Sequence, residues 1–495
     1  SYSPPFGLLP RPQRGAEDDA GISPSLRIVR KDGGMHAIAV LDVGKTNAKV
    51  TLVAAGRVAD QRRQHNDSLP GPPYPHLATG RIWDWALEQL GELSQHANIT
   101  DIVPVAHGAS VAIVDAAGLV LPMLDYEQDI SDFDDDYEKL ARDFAETASP
   151  RLPCSHNPGR QLFWLQRGFP DSFARAPAIV GYAQYWAFML SGVAAGELTA
   201  LGNHSDLWRP CAGRYSHLVE AAGWQSLMPP VRRASEALGP IRPEIAARTG
   251  LSPHCRVRTG IHDSNATFLR WRSRLPEPFA VVSTGTWIIS LVAGGALPAA
   301  GEHFDCLGNI DALGNPVAGA RFMGGRELER IIGDHRADDG AADQRLARPL
   351  AAPIYALPAF SDQGGPFAGR AGRIVDEQGN DSTAADPATL AALYCALMTD
   401  LLLDVLCARG PIILDGPFAT NDIYVAALAA LRPASPVLPS VKTQGASLGA
   451  ALLADPTLPA ELPHAAPRPA LDLSPYRAGW RTLSGADGVL KEVGL

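Results

Sequence analysis

The chain is poor in cysteine: Cys154, Cys211, Cys255, Cys306, Cys395 and Cys407 are the six in 495 residues, and no C-x-x-C occurs. Scattered thiols exclude a zinc or disulfide framework and fit a reducing, cytoplasmic setting. Long apolar runs are missing too. None reaches ~18 residues free of charge, the length that spans a bilayer, so no membrane partner is expected. An excess of basic residues is also absent: Lys and Arg number 43 against 53 Asp and Glu, a formal net charge of −10. That balance repels nucleic acid and anionic membrane surfaces. No short repeat of solenoid type is visible. Residues 1–34 are rich in Pro, Gly and charge and lack the apolar core of a secretory signal. Met35 directly precedes the first strand-like run, so 1–34 reads as an extension, disordered or upstream of the native start, without functional weight.

What is present is core material. Hydrophobic residues make up 46% and charged residues 19%. With about 150 residues per domain, the length suggests about three units or two large ones. Gly (47) and Pro (42) exceed their combined average of about 12%, which predicts many tight turns and ordered loops. His36–Val43 is an apolar run, and Ala48–Ala54 follows the turn Gly44-Lys45-Thr46-Asn47. Two strands are expected there, because Val50, Thr51 and Val53 are β-branched. A third strand follows Gly56. Residues 69–75 (LPGPPYP) are expected to stay out of any sheet.

Helices are expected at 81–95, 160–168, 181–190, 216–222 and 387–408, and strands at Ile102–Ala106, Val111–Asp115, Val257–Ile261, Ala280–Ser283, Trp287–Val292 and Ile412–Leu414. Gly445–Leu453 reads as a small-residue helix able to pack closely, and 455–475 as largely non-helical. A strand–turn–strand unit with a Gly-containing turn occurs near 36–54 and again near 280–292, as two similar halves facing one cleft would require.

Four segments carry candidate chemistry. In Asp42-Val43-Gly44-Lys45-Thr46-Asn47, Gly permits close backbone approach, Lys and Thr donate to phosphate oxygens, and Asp holds a metal or its waters. A P-loop is excluded, since its leading Gly would fall on Ala39 and a strand follows instead of a helix. In Gly260-Ile261-His262-Asp263, a carboxylate after a short strand can take a hydroxyl proton, though a helix cap is the bland alternative. Ser283-Thr284-Gly285-Thr286-Trp287 clusters hydroxyls around a turn able to cradle phosphate, or is a plain hairpin. Asp415-Gly416-Pro417-Phe418-Ala419-Thr420-Asn421 suits nucleotide contact, or is an ordinary strand-to-helix loop.

The order of these segments, closed by Gly445-Ala446-Ser447-Leu448-Gly449-Ala450-Ala451, resembles the FGGY family of carbohydrate kinases over roughly 36–455. Ile113–Pro122 and Gln161–Leu165 are similar to further family segments. The resemblance implies an α/β, two-domain actin/hexokinase-like ATPase fold, with ribonuclease H-like domains, mixed sheets and flanking helices. It implies an N-terminal, sugar-side domain at 35–272, a C-terminal, nucleotide-side domain at 273–456 and a Pro/Ala-rich tail at 457–495. It further implies ATP and Mg2+ as cofactors, a ketose acceptor (a pentulose or 6-deoxyhexulose), and small-molecule partners only; homodimers are common in the family.

Carried over, Asp263 is the catalytic base and Asp42 the metal residue, while His262, His107 and Gly108 face the sugar. Gly44, Lys45, Thr46, Asn47, Ser283, Thr284, Gly285 and Thr286 line the phosphates, and Gly416, Pro417 and Asn421 lie by the adenosine. Two departures stand out. The family's Trp-x-Asp-x-Arg appears as Leu124-Asp125-Tyr126-Glu127, and Lys45 replaces a frequent Thr or Ser. Gly324–Glu327 (Gly-Gly-Arg-Glu) receives no role. A non-catalytic sugar or nucleotide sensor, and an actin-like ATPase acting on proteins, are the alternative functions.

Overall fold

The computed structural model describes residues 36–494 apart from 142–143, 298–300, 335–339, 384–385, 441–444 and 460. Residues 1–34 therefore lie outside the described residues. β1 (His36–Val43) is buried along all but its first residue, because both faces of its sheet are covered; its apolar run is continuous rather than alternating. β2 (Asn47–Ala54) pairs antiparallel with β1, and β3 (Arg57–His65) antiparallel with β2. β3 is an edge strand whose outward positions are Arg57, Gln61, Arg63 and His65, polar groups that discourage further pairing. α1 (Thr79–Ser94) buries Ile82, Leu87, Leu90 and Leu93 against this sheet.

β4 (Asn98–Ala106) lies parallel to β1 on its other side. After α2 (Tyr182–Ser191), β5 (Ala237–Pro240), β6 (Arg256–Arg258) and β7 (Ile261–His262) complete a seven-stranded sheet in which β6 and β7 both run parallel to β4. Next comes α3 (Asp263–Arg272).

The second sheet has six strands: β8 (Phe279–Thr284), β9 (Ile288–Ala293), β10 (Cys306–Ile310), β11 (Pro316–Phe322), β12 (Ile412–Asp415) and β13 (Val437–Ser440). Its spatial order is β10-β11-β9-β8-β12-β13. The run β13-β12-β8-β9-β11 repeats β6-β4-β1-β2-β3 strand for strand, with three parallel members followed by two antiparallel ones. The duplication suggested by two Gly-containing turns is thus present in the topology. The actin/hexokinase-like arrangement expected from the sequence is the observed one.

α4 (Gly324–Ile332), α5 (Pro387–Val405) and α6 (Asp422–Leu431) cover one face of the second sheet. α5 is apolar over most of its surface because it is buried over most of its surface, Asp400 and Asp404 being its two charged residues. By length and composition it could cross a membrane, yet 89% of its apolar window is enclosed by this core. α7 (Gly445–Ala451) does not join that core. It packs on the opposite sheet, with Ala450 and Ala451 against Ile38, Val40 and Val105.

α7 also lies against α3, closely enough that a Cβ at Gly449 would fall 1.8 Å from the Ala266 carbonyl oxygen. Small residues here are therefore a steric requirement. α3 itself is shared. Ala266 and Leu269 belong to the first sheet's core, while Phe268 and Trp271 belong to the second's, where Phe268 stacks on Phe279 at 5.2 Å.

Two expectations need correction. Leu69 does pair, in a short ladder of Ser68–Leu69 with His76–Leu77, and residues 70–75 between them stay outside. The C-terminal segment is not a tail throughout. It carries α8 (Ser474–Ser484) and a last helix, Ala486–Glu492. Trp480 is buried and donates to the Ala356 carbonyl at 2.8 Å, and Tyr476 joins the same core.

Candidate active site

The parallel strands β1, β4 and β7 end side by side, Asp42 opposite Val105 and His262 opposite Ala106. Their ends therefore gather residues distant in sequence. Asp42 is buried, with Lys49 Nζ 3.3 Å from Oδ2. Burial pushes its carboxyl up and the charge of Asp263 adds to that, against the opposing pull of Lys49. The turn beyond β1 is closed by Gly44 N donating to the Asn47 carbonyl at 2.9 Å. Asn66 buttresses it, donating through Nδ2 to the Gly44 carbonyl at 2.7 Å and through its backbone to Thr46 at 2.8 Å. Thr46 is exposed, while the Asn47 side chain accepts from Arg63 at 2.8 Å.

His262 is buried at the end of β7. Its backbone N–H donates to Thr199 Oγ1 at 3.0 Å, and its Nε2 lies 3.1 Å from Asp263 Oδ1 and 3.3 Å from Asn203 Nδ2. Asp263 opens α3 with a side chain 37% exposed. Its Oδ1 accepts from Ser264 N at 2.5 Å and Oγ at 3.2 Å; among the described residues its Oδ2 accepts nothing. The carboxylate also sits at the positive end of a helix dipole. The bland cap reading thus covers one oxygen only.

His107 follows β4, its ring set between Tyr126 at 5.0 Å and Tyr182 at 4.9 Å. Both ring nitrogens are buried without a protein partner. Burial is the main reason its imidazole is pushed down to about 4, and burial lowers His262 as well, so both rings are neutral near pH 7. Gly108 keeps this corner open. A Cβ there would lie 1.9 Å from Asn203 Nδ2 and 3.0 Å from the His262 ring.

On the second sheet, β8 ends at the other Gly-containing turn. Thr284 Oγ1 donates to the Asp415 carbonyl at 2.7 Å and accepts from Phe418 N at 3.1 Å, so the turn at 283–286 and the loop at 415–418 form one unit. Gly416 makes the junction possible, with φ +93° and a position where a Cβ would meet the Thr284 carbonyl at 2.1 Å. Pro417 opens a short 3-10 turn, and Thr286 is exposed. Asn421, expected beside a nucleoside, is spent as the cap of α6, its Oδ1 accepting from Tyr424 N at 3.0 Å.

The structure thus gathers Asp42, His107, Gly108, His262 and Asp263 at one end of the first sheet, and Ser283–Thr286 with Gly416–Pro417 at one end of the second. Lys45 leaves the turn and reaches Asp125, Glu127 and Ser68. Several contributors escaped the sequence reading. Gly324-Gly325 back the second turn, Gly325 N donating to the Thr286 carbonyl at 3.2 Å. Glu327 fixes that helix, accepting from Tyr394 Oη and from Phe360 N. Asp415 lies where a Cβ at Gly445 would come within 2.8 Å of its carboxylate. It heads the strand-to-helix segment singled out in the sequence, where it receives no role of its own.

No group of three or more His, Cys, Asp or Glu suited to a metal occurs among the described residues. The donor set fits a magnesium ion that keeps its waters and phosphate oxygens, which needs only one or two protein carboxylates. Asp42, with Asp263 close enough to perturb it, meets that requirement.

Residues 276–462 match the family described as carbohydrate kinase FGGY, C-terminal domain, and residues 139–269 match the N-terminal domain of the FGGY family of carbohydrate kinases. A carbohydrate kinase from Novosphingobium aromaticivorans is similar in structure, with TM-score 0.85 and 36% identity, covering 92% of this chain and 99% of that one. Glycerol kinase from Plasmodium falciparum with ADP shares the fold at TM-score 0.75 and 13% identity, covering 93% and 99%. YoaC of Bacillus subtilis (strain 168), assigned by name to the sugar kinases, is 23% identical over 282 residues. The chain spans about half of that curated relative, 52% of its length, through 52% of its own. The family matches and the 36% identical structure agree with the duplicated sheets: the chain belongs to the FGGY family of carbohydrate kinases.

Proposed function

We propose that this protein transfers the γ-phosphoryl group of ATP to a hydroxyl of a ketose, a pentulose or a 6-deoxyhexulose. The observation that carries the reading is the His262–Asp263 pair, 3.1 Å apart, at the start of the helix shared by both sheets. A carboxylate there has one oxygen held and one free, as a general base requires. The unit at 35–272 is assigned to the sugar and the unit at 273–456 to the nucleotide.

In this mechanism the sugar lies against His107, Gly108 and His262. Neutral imidazoles offer one donor and one acceptor each, a match for hydroxyl groups. The turns at 44–47 and 283–286 flank the triphosphate, and Gly416 and Pro417 lie toward the adenosine. Asp263 takes the proton as the sugar oxygen bonds to the γ-phosphorus and the bond from phosphorus to the β,γ-bridging oxygen breaks, releasing ADP. Most of the rate enhancement comes from positioning and charge neutralisation. Asp42 would hold Mg2+, which neutralises phosphate charge when bound.

The test is coupled ADP release with a panel of ketoses and polyols. Sugar-dependent release supports the kinase. Hydrolysis independent of sugar, or ligand-induced thermal stabilisation without turnover, would replace it with an ATPase or a sensor.

A further inference from the structure

One cation of the second unit has no part in the transfer step. Arg321 of β11 donates through Nε to Asp305 Oδ1 at 3.0 Å and stacks at 4.4 Å on the ring of Trp287, the residue after the turn at 283–286. Both supports are themselves fixed. Asp305 Oδ2 accepts from Gly365 N at 3.2 Å, and Gly364 backs the indole so closely that a Cβ there would lie 2.5 Å from it. The Arg321 side chain is 15% exposed, and among the described residues its two Nη atoms have no hydrogen-bond partner. The stem of the guanidinium is held while its fork stays open.

That fork stands where the two units meet. In β10, directly after Asp305, Gly308 N donates to the Ala148 carbonyl at 2.7 Å, and a Cβ at Gly202 would lie 2.5 Å from Ile310 Cδ1. The segments making these contacts continue to His156 and His204. Burial lowers both imidazoles, and the charge of Arg321 adds to that. His156 packs on Tyr126 at 4.7 Å, and Tyr126 on His107 at 5.0 Å. One wall therefore runs from His262 and Asp263 through His107, Tyr126 and His156 toward Arg321. The cation acting on Asp42, by contrast, is Lys49.

We propose that Arg321 is a specificity-determining residue for the acceptor, donating from its two NH2 groups to oxygens at the end of the sugar remote from the hydroxyl that is phosphorylated. This rests on the sugar-kinase reading and deepens it, because the acceptor site is then completed by the nucleotide-side unit. A guanidinium fork offers two parallel N–H bonds, a match for a pair of neighbouring oxygens. Little freedom is lost on binding, since Asp305 and Trp287 already fix the fork. They act as its positioning residues. Asp263 at one end and Arg321 at the other bracket the acceptor, so its length and configuration are read from both units. An acceptor bound this way ties the units together and keeps water from the transferring phosphate.

The experiment is coupled ADP release by the full chain over a panel of ketoses and polyols, with acceptor and ATP varied in turn. Arg321→Met should raise the KM of the best acceptor at least about tenfold, the loss of one charge-assisted hydrogen bond, and leave the ATP KM unchanged. The spread of kcat/KM across the panel should narrow with it. A rise confined to the ATP KM gives Arg321 to the γ-phosphate and overturns the proposal, as does an unchanged acceptor KM or an unchanged spread. Asp305→Ala should raise the acceptor KM in the same sense, and Asp305→Asn, which keeps an acceptor for Nε, should restore it; equal values for the two variants refute the positioning role. Wild-type protein supplies a second measurement that needs no variant to fold. Phenylglyoxal labelling mapped by mass spectrometry should show Arg321 protected by the acceptor alone, and equal labelling with and without acceptor overturns the assignment. ADP release by wild type that no acceptor increases overturns the kinase reading and this proposal with it, whereas acceptor-dependent release insensitive to Arg321 overturns this proposal only.

Discussion

His262 Nε2 and Asp263 Oδ1 are 3.1 Å apart, so the last residue of a strand and the first of a helix present an imidazole and a carboxylate side by side. Asp263→Asn keeps the shape and removes the base. It should leave nucleotide binding intact and lower kcat by about 10²–10⁴-fold, measured by ADP release and by nucleotide titration. His262→Ala should act mainly on the sugar KM.

Gly449 faces the Ala266 carbonyl with no room for a side chain. Gly449→Val must push α7 off α3, an overpacking that costs about 1–3 kcal/mol or more. A lowered midpoint in denaturant unfolding is the expected readout, and a midpoint equal to wild type would contradict the contact.

Asp400, on the buried helix α5, is 1% exposed and lies 2.7 Å from Arg432 and 2.9 Å from Arg481 of α8. Removing it leaves Arg432 and Arg481 sharing Asp404 as their remaining carboxylate, so Asp400→Ala should cost about 1–3 kcal/mol. Limited proteolysis should then cut first around α8, because Arg481 is one of its ties to the core.

Glu197 is fully enclosed, and burial pushes its carboxyl up to about 7, despite hydrogen bonds from Thr199 and Ala200. Its folded value lies above the unfolded one, so the folded state binds more protons between them. This contribution is complete below the ordinary carboxylate range and is lost as pH rises toward about 7. Melting temperatures measured from pH 5 to 7.5 should show this fall, and Glu197→Gln should flatten it.

Much of the fold was legible because the relevant signals are local. The run His36–Val43 and the helix at 387–405 follow from continuous apolar stretches, and the turns at 44–47 and 284–287 from glycine between β-branched residues. The strand end and helix start around Asp263 were legible locally, while its expected role as base came from the resemblance to the kinase family. Other features depend on partners far away in sequence. Nothing local tells that Asn421 spends its side chain on a cap, or that Lys45 turns toward Asp125, 80 residues on. Gly324-Gly325 has meaning only against Thr286, and Trp480 only against Ala356. The helix of Ser474–Ser484 was hidden by the proline-rich stretch before it.

Because Phe268 and Trp271 face one hydrophobic core while Ala266 and Leu269 face the other, α3 has no solvent side along its middle. A gene cut after residue 272 would yield a first half with two large aromatics bare and with the seat of α7 empty. Such fragments should precipitate when made singly and become soluble when co-expressed, the mark of halves that must mature as one.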